Sequence, residues 1–224
     1  RAAHTLVGTS ANMGATRLQA IAMAMEDSAG QANGAAVSGL LDAARRQLAD
    51  ILASLRADIE SGVPIIGLEP SCVSVFRDEL LRFFPDDPLA RKLSEQTLFL
   101  TEFLEREGKT VPATLAGRAI VQAHCHQKAS LRIDDEIAVL KKLGLDFTLL
   151  DAGCCGMAGA FGFERGHYDV SLQVGERGLL PAVRAASDDT YIVSNGFSCR
   201  EQVTQATGRR VWHVAELLRE GLRR

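Results

Sequence analysis

No run of about 18 apolar residues occurs in the 224-residue sequence, so no segment is long enough to be a transmembrane helix. An excess of one charge is also lacking. The formal net charge is −3, with acidic and basic residues interspersed, which leaves no nucleic-acid stripe and no polybasic membrane patch. The opening residues, Arg1-Ala2-Ala3-His4, hold neither an initiator Met nor the apolar core of a secretory signal. The expectation is a cytoplasmic protein, either cut from a longer chain or lacking its start. Residues 1–60 contain no Cys, Pro, Phe, Trp or Tyr, and only Thr and Val as β-branched residues before Ile21. That sets them apart from everything downstream.

What is present is an apolar fraction of 46%, enough for a buried core and against global disorder. In the first part, Leu18, Ile21, Ala22 and Met25 recur at helical spacing. Leu41, Ala44, Leu48, Ile51, Leu52, Leu55 and Ile59 do so over a longer stretch. Ser28 to Gly34 is a turn by composition. The pattern predicts a helix to about Ala15, one over Thr16–Ala29 and one over Ala36–Glu60, ended by Gly62 and Pro64.

After Pro64 the pattern changes. Short apolar runs at Pro64–Leu68, Ala119–Ala123, Phe147–Leu150, Tyr191–Val193 and Arg210–His213 have strand lengths. Helical patterns lie between them, at Val73–Phe83, Leu89–Arg106, Asp134–Leu143 and Asp169–Ala186. Asp134, Asp135 and Glu136 give negative charge to a helix start, and Lys141 and Lys142 sit near its end. The alternation implies an α/β domain with a mainly parallel sheet over residues 61–224, preceded by a helical segment over residues 1–60.

The five cysteines are Cys72, Cys125, Cys154, Cys155 and Cys199. Five is odd, and the adjacent pair would close no useful disulfide loop, so metal binding or redox chemistry is the better reading. Each follows an expected strand. In a parallel sheet the carboxyl ends of the strands share one edge, where α/β proteins place ligands. Gly153, Gly156 and Gly159 surround the pair and allow positive φ and close backbone approach to a bulky cluster. Their N–H groups are then free to donate to sulfur. The same glycines could cradle a phosphate, but no Lys-Ser/Thr ending follows. Small buried cysteines can also simply fill a core, a reading that weighs most for Cys72. His124 and His126 flank Cys125 and on an extended segment would point to the same side, opposite it. They could be zinc ligands, donors that orient the ligands, or groups that handle substrate protons. His167 and His213 look structural or exposed.

The stretch Gly67-Leu68-Glu69-Pro70-Ser71-Cys72 with Phe76-Arg77-Asp78-Glu79-Leu80 resembles the C-terminal domain of FAD-linked oxidases of the D-lactate and D-2-hydroxyglutarate dehydrogenase type. So, in order, do His124-Cys125-His126-Gln127, Gly153-Cys154-Cys155-Gly156-Met157-Ala158-Gly159 and Gly196-Phe197-Ser198-Cys199-Arg200-Glu201-Gln202. The domain is one of the cysteine-rich "CCG" family, with the cysteine-rich component of heterodisulfide reductase and the iron–sulfur component of glycolate oxidase. The likeness covers about residues 38–224. It implies electron transfer through an iron–sulfur cluster of the 4Fe–4S type, coupled to flavin oxidation of a 2-hydroxy acid. It further implies a flavin-containing dehydrogenase domain or subunit as partner, with FAD held only upstream of this chain. Two departures stand out. The family motif usually closes with two cysteines separated by two residues, and Gly196 stands where the first would be. The half-domain whose Cys-Cys-Gly would pair with Cys72 is not in this sequence. The resemblance therefore implies Cys125, Cys154, Cys155 and Cys199 as ligands, with Cys72 peripheral.

The start of the chain is similar to something unrelated. His4-Thr5-Leu6-Val7-Gly8-Thr9-Ser10-Ala11-Asn12-Met13-Gly14-Ala15 resembles the phosphoacceptor helix of histidine phosphotransfer (HPt) domains, a likeness that extends faintly to about residue 37. It implies His4 as phosphoacceptor, with Gly8 one turn on clearing space for a response-regulator receiver. Val7 stands where that family usually has lysine, and the bundle's first helix is not in the sequence. The helix over Ala36–Glu60 could close such a bundle or open the cysteine-rich domain, and Gly39-Leu40-Leu41-Asp42 fits the oxidase family slightly better.

The leading expectation is an iron–sulfur electron-transfer domain of an FAD-linked oxidoreductase that does not oxidise substrate alone. A phosphorelay protein using His4 and a zinc-stabilised interaction domain are the alternatives.

Overall fold

Gly62 ends the first helical stretch among the described residues. In the computed structural model the helix expected over Ala36–Glu60 is two helices, α1 (Gly34–Ser54) and α2 (Arg56–Ser61). Gly62 caps α2 with a left-handed φ of 78°, which glycine adopts without a Cβ penalty. The structure describes residues 34–108, 113–130, 133–159 and 161–223. His4 and the helices expected up to Ala15 and over Thr16–Ala29 lie outside the described residues. By contacts the chain divides into two units between Leu98 and Phe99.

In the first unit, α1 buries Ala44, Leu48 and Leu52, one apolar stripe at four-residue spacing, and α2 buries Ile59. Strand β1 (Ile65–Gly67) leads into a continuous helical run: α3 (Pro70–Ser74), a π-helical turn (Val75–Glu79) and α4 (Leu80–Phe83). This run starts earlier than the expected Val73, because Pro70 suits a first helical turn whose N–H is unpaired anyway. Helix α5 (Pro88–Gln96) is capped by Asp87, whose carboxylate accepts from Leu89 N–H at 2.7 Å and Ala90 N–H at 3.3 Å.

The single helix expected over Leu89–Arg106 does not form. Strand β2 (Thr97–Phe99) interrupts it before α6 (Leu100–Arg106). Thr97, Leu98 and Phe99 are all buried, and three buried residues in a row suit an enclosed strand better than a helix with one apolar face. β2 pairs with β1 in a two-stranded sheet, so the strand expected at Pro64–Leu68 is not part of the main sheet.

The second unit holds that main sheet. It comprises β3 (Gly117–Val121), β4 (Leu145–Leu149), β5 (Tyr191–Val193) and β6 (Val211–Trp212), in the order β4-β3-β5-β6. Every neighbouring pair is parallel, with Ala119 opposite Phe147 on one side and Tyr191 on the other, and Val193 opposite Trp212. Between the strands run α7 (Cys125–Ser130), α8 (Asp134–Lys142), a 3-10 turn (Phe161–Phe163), α9 (Tyr168–Gly175), α10 (Leu179–Ala185) and α11 (Phe197–Thr207). Helix α12 (Val214–Gly221) follows β6. The helix expected over Asp169–Ala186 is thus α9 and α10. It breaks before Gly178, where a Cβ would press on the Ala152 backbone at 3.2 Å.

Alternate strand residues face opposite layers, as the two-residue period requires. Ala119, Val121 and Val193 pack with Val139 and Leu140 of α8, with Leu143 just past it, and with Leu217 and Leu218 of α12. Ile120 and Ile192 pack with Leu179, Leu180, Val183 and Val203 of α10 and α11. A parallel sheet covered on both faces is the α/β architecture the sequence predicts. Among the described residues no helix is long and apolar enough to cross a membrane.

Candidate metal centre

Because the four strands of the main sheet are parallel, the segments that follow β3, β4 and β5 leave from one edge. Those segments carry Cys125 at the start of α7, Cys154 and Cys155 in the loop after β4, and Cys199 in the first turn of α11. Gln122 ties them together. Its N–H donates to Val193 O at 2.8 Å, its carbonyl accepts from Ser194 Oγ at 2.9 Å, and its Nε2 donates to Gly153 O at 2.9 Å. One residue past β3 is therefore bonded to both neighbouring strand ends.

The four thiols lie in segments that leave the same sheet edge. Cys125 and Cys154, Cys154 and Cys155, and Cys155 and Cys199 are the pairs that shift one another's protonation. All five cysteines are free thiols. The charge pattern across these pairs is uneven. Hydrogen bonds from Cys125 and Cys155 hold the Cys154 thiol far below its ordinary range. Burial opposes this, and Gly156 N–H adds a bond to Cys154 Sγ at 3.3 Å. The bond to Cys154 pushes Cys125 up, with burial second, and bonds to Cys154 and Cys199 push Cys155 up. The lowering at Cys154 favours its thiolate, the form in which sulfur is a nucleophile and a metal ligand.

The histidines differ from the expectation of an extended segment. Cys125 opens a helix, so His124 precedes α7 and His126 lies within it. His124 is buried, and its Nδ1 accepts from His126 N–H at 3.2 Å, which leaves the ring proton on Nε2. Burial, then the neighbouring His126, brings His124 down to about 4, so it is a neutral ring at pH 7. Its ring fills the place of a side chain at Gly196. Of the glycines, Gly153, Gly156 and Gly159 have φ of 68°, 102° and 73°, the positive values expected. A Cβ at Gly153 would meet nothing within 4 Å, whereas one at Gly156 would lie 2.0 Å from Ser171 O. Gly153 thus borders open space, while Gly156 lets the loop pack against α9. His167 stacks on Phe161 at 4.1 Å between ring centroids, and His213 caps α12 by accepting from Ala215 N–H at 3.0 Å. Both are structural.

Four soft sulfur donors on one sheet edge suit iron–sulfur or zinc chemistry. Among the described residues no group of three or more His, Cys, Asp or Glu is arranged to hold a metal ion. Cys72 belongs to the first unit, on α3, where burial and then the charge of Glu69 push its thiol up to about 12. It lines a cavity of about 290 Å³ with Ile65, Ile66, Leu68, Val73 and Phe76. Sequence reasoning singled out neither Gln122 nor the buried polar group of Gln127, Glu136 and Asn195. Gln127 and Asn195 adjoin the cysteine motifs, which is the one signal that could have found them.

The Hpt domain family model matches residues 1–58, about a quarter of the chain and well beyond the faint limit near residue 37. The chain is 28% identical over 191 residues to one component of the anaerobic glycerol-3-phosphate dehydrogenase of Escherichia coli, covering 83% of this chain and 47% of that protein. It is also 28% identical over 186 residues to D-2-hydroxyglutarate dehydrogenase of Pseudomonas putida, covering 81% of this chain and 18% of that protein. The chain thus spans less than half the length of these relatives. No solved structure matches it.

Proposed function

We propose that this chain is the iron–sulfur electron-transfer part of a flavin-linked oxidoreductase acting on a 2-hydroxy acid. The observation that carries this reading is the placement of Cys125, Cys154, Cys155 and Cys199 in the segments that follow three neighbouring parallel strands of one sheet. These four residues would hold a cluster of the 4Fe–4S type, which when bound takes up and releases single electrons. Cys154, whose thiol is held below its ordinary range, would be the first ligand. Gly153 leaves room beside it, Gly156 and Gly159 shape the loop, and His124 and His126 wall the site. Cys72 would be at most a peripheral ligand or a core thiol. The partner is a flavin-containing dehydrogenase domain or subunit that holds FAD, and the compartment is the cytoplasm. The likeness to two dehydrogenases supports this reading. The test is iron, sulfide and zinc content after anaerobic purification and reconstitution. Iron and sulfide bound together are expected, lost in Cys154→Ala and kept in Cys72→Ala. Stoichiometric zinc without iron would replace the electron carrier with a structural metal site.

A second reading is favoured by the Hpt match over residues 1–58. In it His4 accepts phosphate from a response-regulator receiver. Incubation with a phosphorylated receiver should then leave acid-labile phosphate on the wild type and none on His4→Ala. Equal labelling of the two removes the role.

A further inference from the structure

Glu136 reads in the sequence as one of three acids supplying negative charge to a helix start. Its side chain is instead only 1% exposed. On one side Gln127 Nε2 donates to Glu136 Oε2. On the other, the Asn195 side chain lies against the same carboxyl. Each amide keeps a buried atom outside strict hydrogen-bond geometry, Oε1 of Gln127 and Nδ2 of Asn195. Gln127 is on α7, two residues beyond Cys125. Asn195 is four residues before Cys199 and is fixed in place. Its Oδ1 accepts from Val214 N–H at 2.9 Å and its carbonyl from Arg200 Nη1 at 2.7 Å. The carboxyl therefore stands between the segment bearing Cys125 and the segment bearing Cys199.

We propose that Glu136 is a positioning residue, a buried carboxyl that keeps these two segments in register so that Cys125 and Cys199 stay aligned with Cys154 and Cys155. The inference rests on the reading of the four thiols as one ligand set. A neutral carboxylic acid can donate its O–H to Gln127 Oε1 and accept from Asn195 Nδ2, which uses both leftover atoms. An ionised carboxylate only accepts. It leaves Gln127 Oε1 unmatched and places a charge in a buried site between two neutral amides.

Burial raises Glu136 from 4.5 to about 7, against the smaller lowering effect of Gln127 and Asn195. Cys125 and His126 of α7 and Cys199 of α11 lie on the surrounding elements but are not among the causes of the shift, and the nearby charged groups have other partners or share the first turn with Glu136. Lys128 of α7 reaches Leu150 O at 3.5 Å, Arg200 binds the Asn195 carbonyl, and Lys142 pairs with Glu105 of α6 at the far end of α8. Asp134 and Asp135 share the first turn of α8. The causes of the shift are burial and the two amides alone. The sign follows. Between pH 4.5 and about 7 the closed form binds more protons than any form in which Glu136 is wet, so opening becomes more populated as pH rises.

The experiment is hydrogen exchange on the full metal-free chain, wild type and Glu136→Gln, at pH 6 and pH 8. Rates are corrected for intrinsic exchange. In the wild type, opening of residues 125–130 and 195–199 should rise about tenfold over this range, from the two protonation equilibria. In Glu136→Gln, which keeps the volume and does not titrate, it should stay flat. Parallel profiles in the two proteins overturn the inference, since a space-filling role would not distinguish them. A measurement on the wild type alone guards against a variant that fails to fold. Carbon-13 labelling of the glutamate side chains should show one carboxyl titrating near 7, and titration of every glutamate in the ordinary range also overturns it. If the reconstituted wild type binds no iron, the electron-transfer reading falls, while the exchange profiles still decide the role of Glu136.

Discussion

The imidazole of His124 occupies the space a side chain at residue 196 would need: a Cβ on Gly196 would lie 2.2 Å from His124 Cδ2 and 3.0 Å from His124 Cγ. The backbone at Gly196 is ordinary, with φ −71° and ψ 127°, so the demand for glycine is steric and comes from His124. In the resemblance to the cysteine-rich family, this is where a further cysteine would stand. A thiol there and the present His124 ring exclude each other.

Gly196→Ala should therefore destabilise the chain by about 1–3 kcal/mol, the usual cost of overpacking a filled site. In the His124→Ala background the same substitution should cost almost nothing. Urea denaturation of the four proteins in the cycle measures the coupling. Additive effects would mean that the two residues do not compete for space.

Gly156 and Gly153 should respond unequally to alanine. Both have positive φ, so each substitution carries a backbone cost of about 1 kcal/mol. At Gly156 the new Cβ would also meet Ser171 O, a backbone atom that cannot move aside cheaply. Gly156→Ala should lower the denaturation midpoint far more than Gly153→Ala and expose Cys154 and Cys155 to alkylation. Equal midpoints would contradict the packing of this loop on α9.

In the metal-free chain, His124 and Glu136 pull stability in opposite directions with pH. His124 is lowered from 6.5 to about 4, so the unfolded chain binds the extra proton and stability falls as pH drops through that window. Glu136 is raised from 4.5 to about 7, so its contribution is complete below 4.5 and is lost as pH rises. Each amounts to at most about 3 kcal/mol, and from pH 4.5 to 6.5 they largely cancel. Unfolding free energy should rise with pH in Glu136→Gln and fall with pH in His124→Phe. The reverse slopes would show that the two groups are not buried as described.

The thiols of the metal-free chain should react with iodoacetamide in a fixed order at pH 6. Cys154, half-buried with its thiol held below its ordinary range, should label first. Cys72, buried with its thiol raised to about 12, should label last. Mass spectrometry of timed digests reads the order. Labelling of Cys72 as fast as Cys154 would remove the basis for separating them.

The strands of the main sheet were legible because period and composition are local properties. Tyr191–Val193 forms as expected, and the runs at Ala119–Ala123 and Phe147–Leu150 form two residues early. β2 was not legible. Thr97-Leu98-Phe99 continues a helical pattern on both sides, and only pairing with β1 makes it a strand. The break before Gly178 is of the same kind, since the Ala152 backbone that it packs against is distant in sequence.

By itself the sequence determined that strands alternate with helices and that four cysteines follow strand ends. Parallel pairing turns such spacing into one shared edge without further information. Only the tertiary structure decided which polar groups are taken out of water. Helical spacing puts Glu136 in the first turn of α8 but does not say which way that turn faces, and a carboxylate is by default solvated. Packing of α7, α8 and the segment after β5 turned it inward between Gln127 and Asn195. The same packing set His124 against Gly196, a contact between residues more than seventy positions apart that no local pattern encodes.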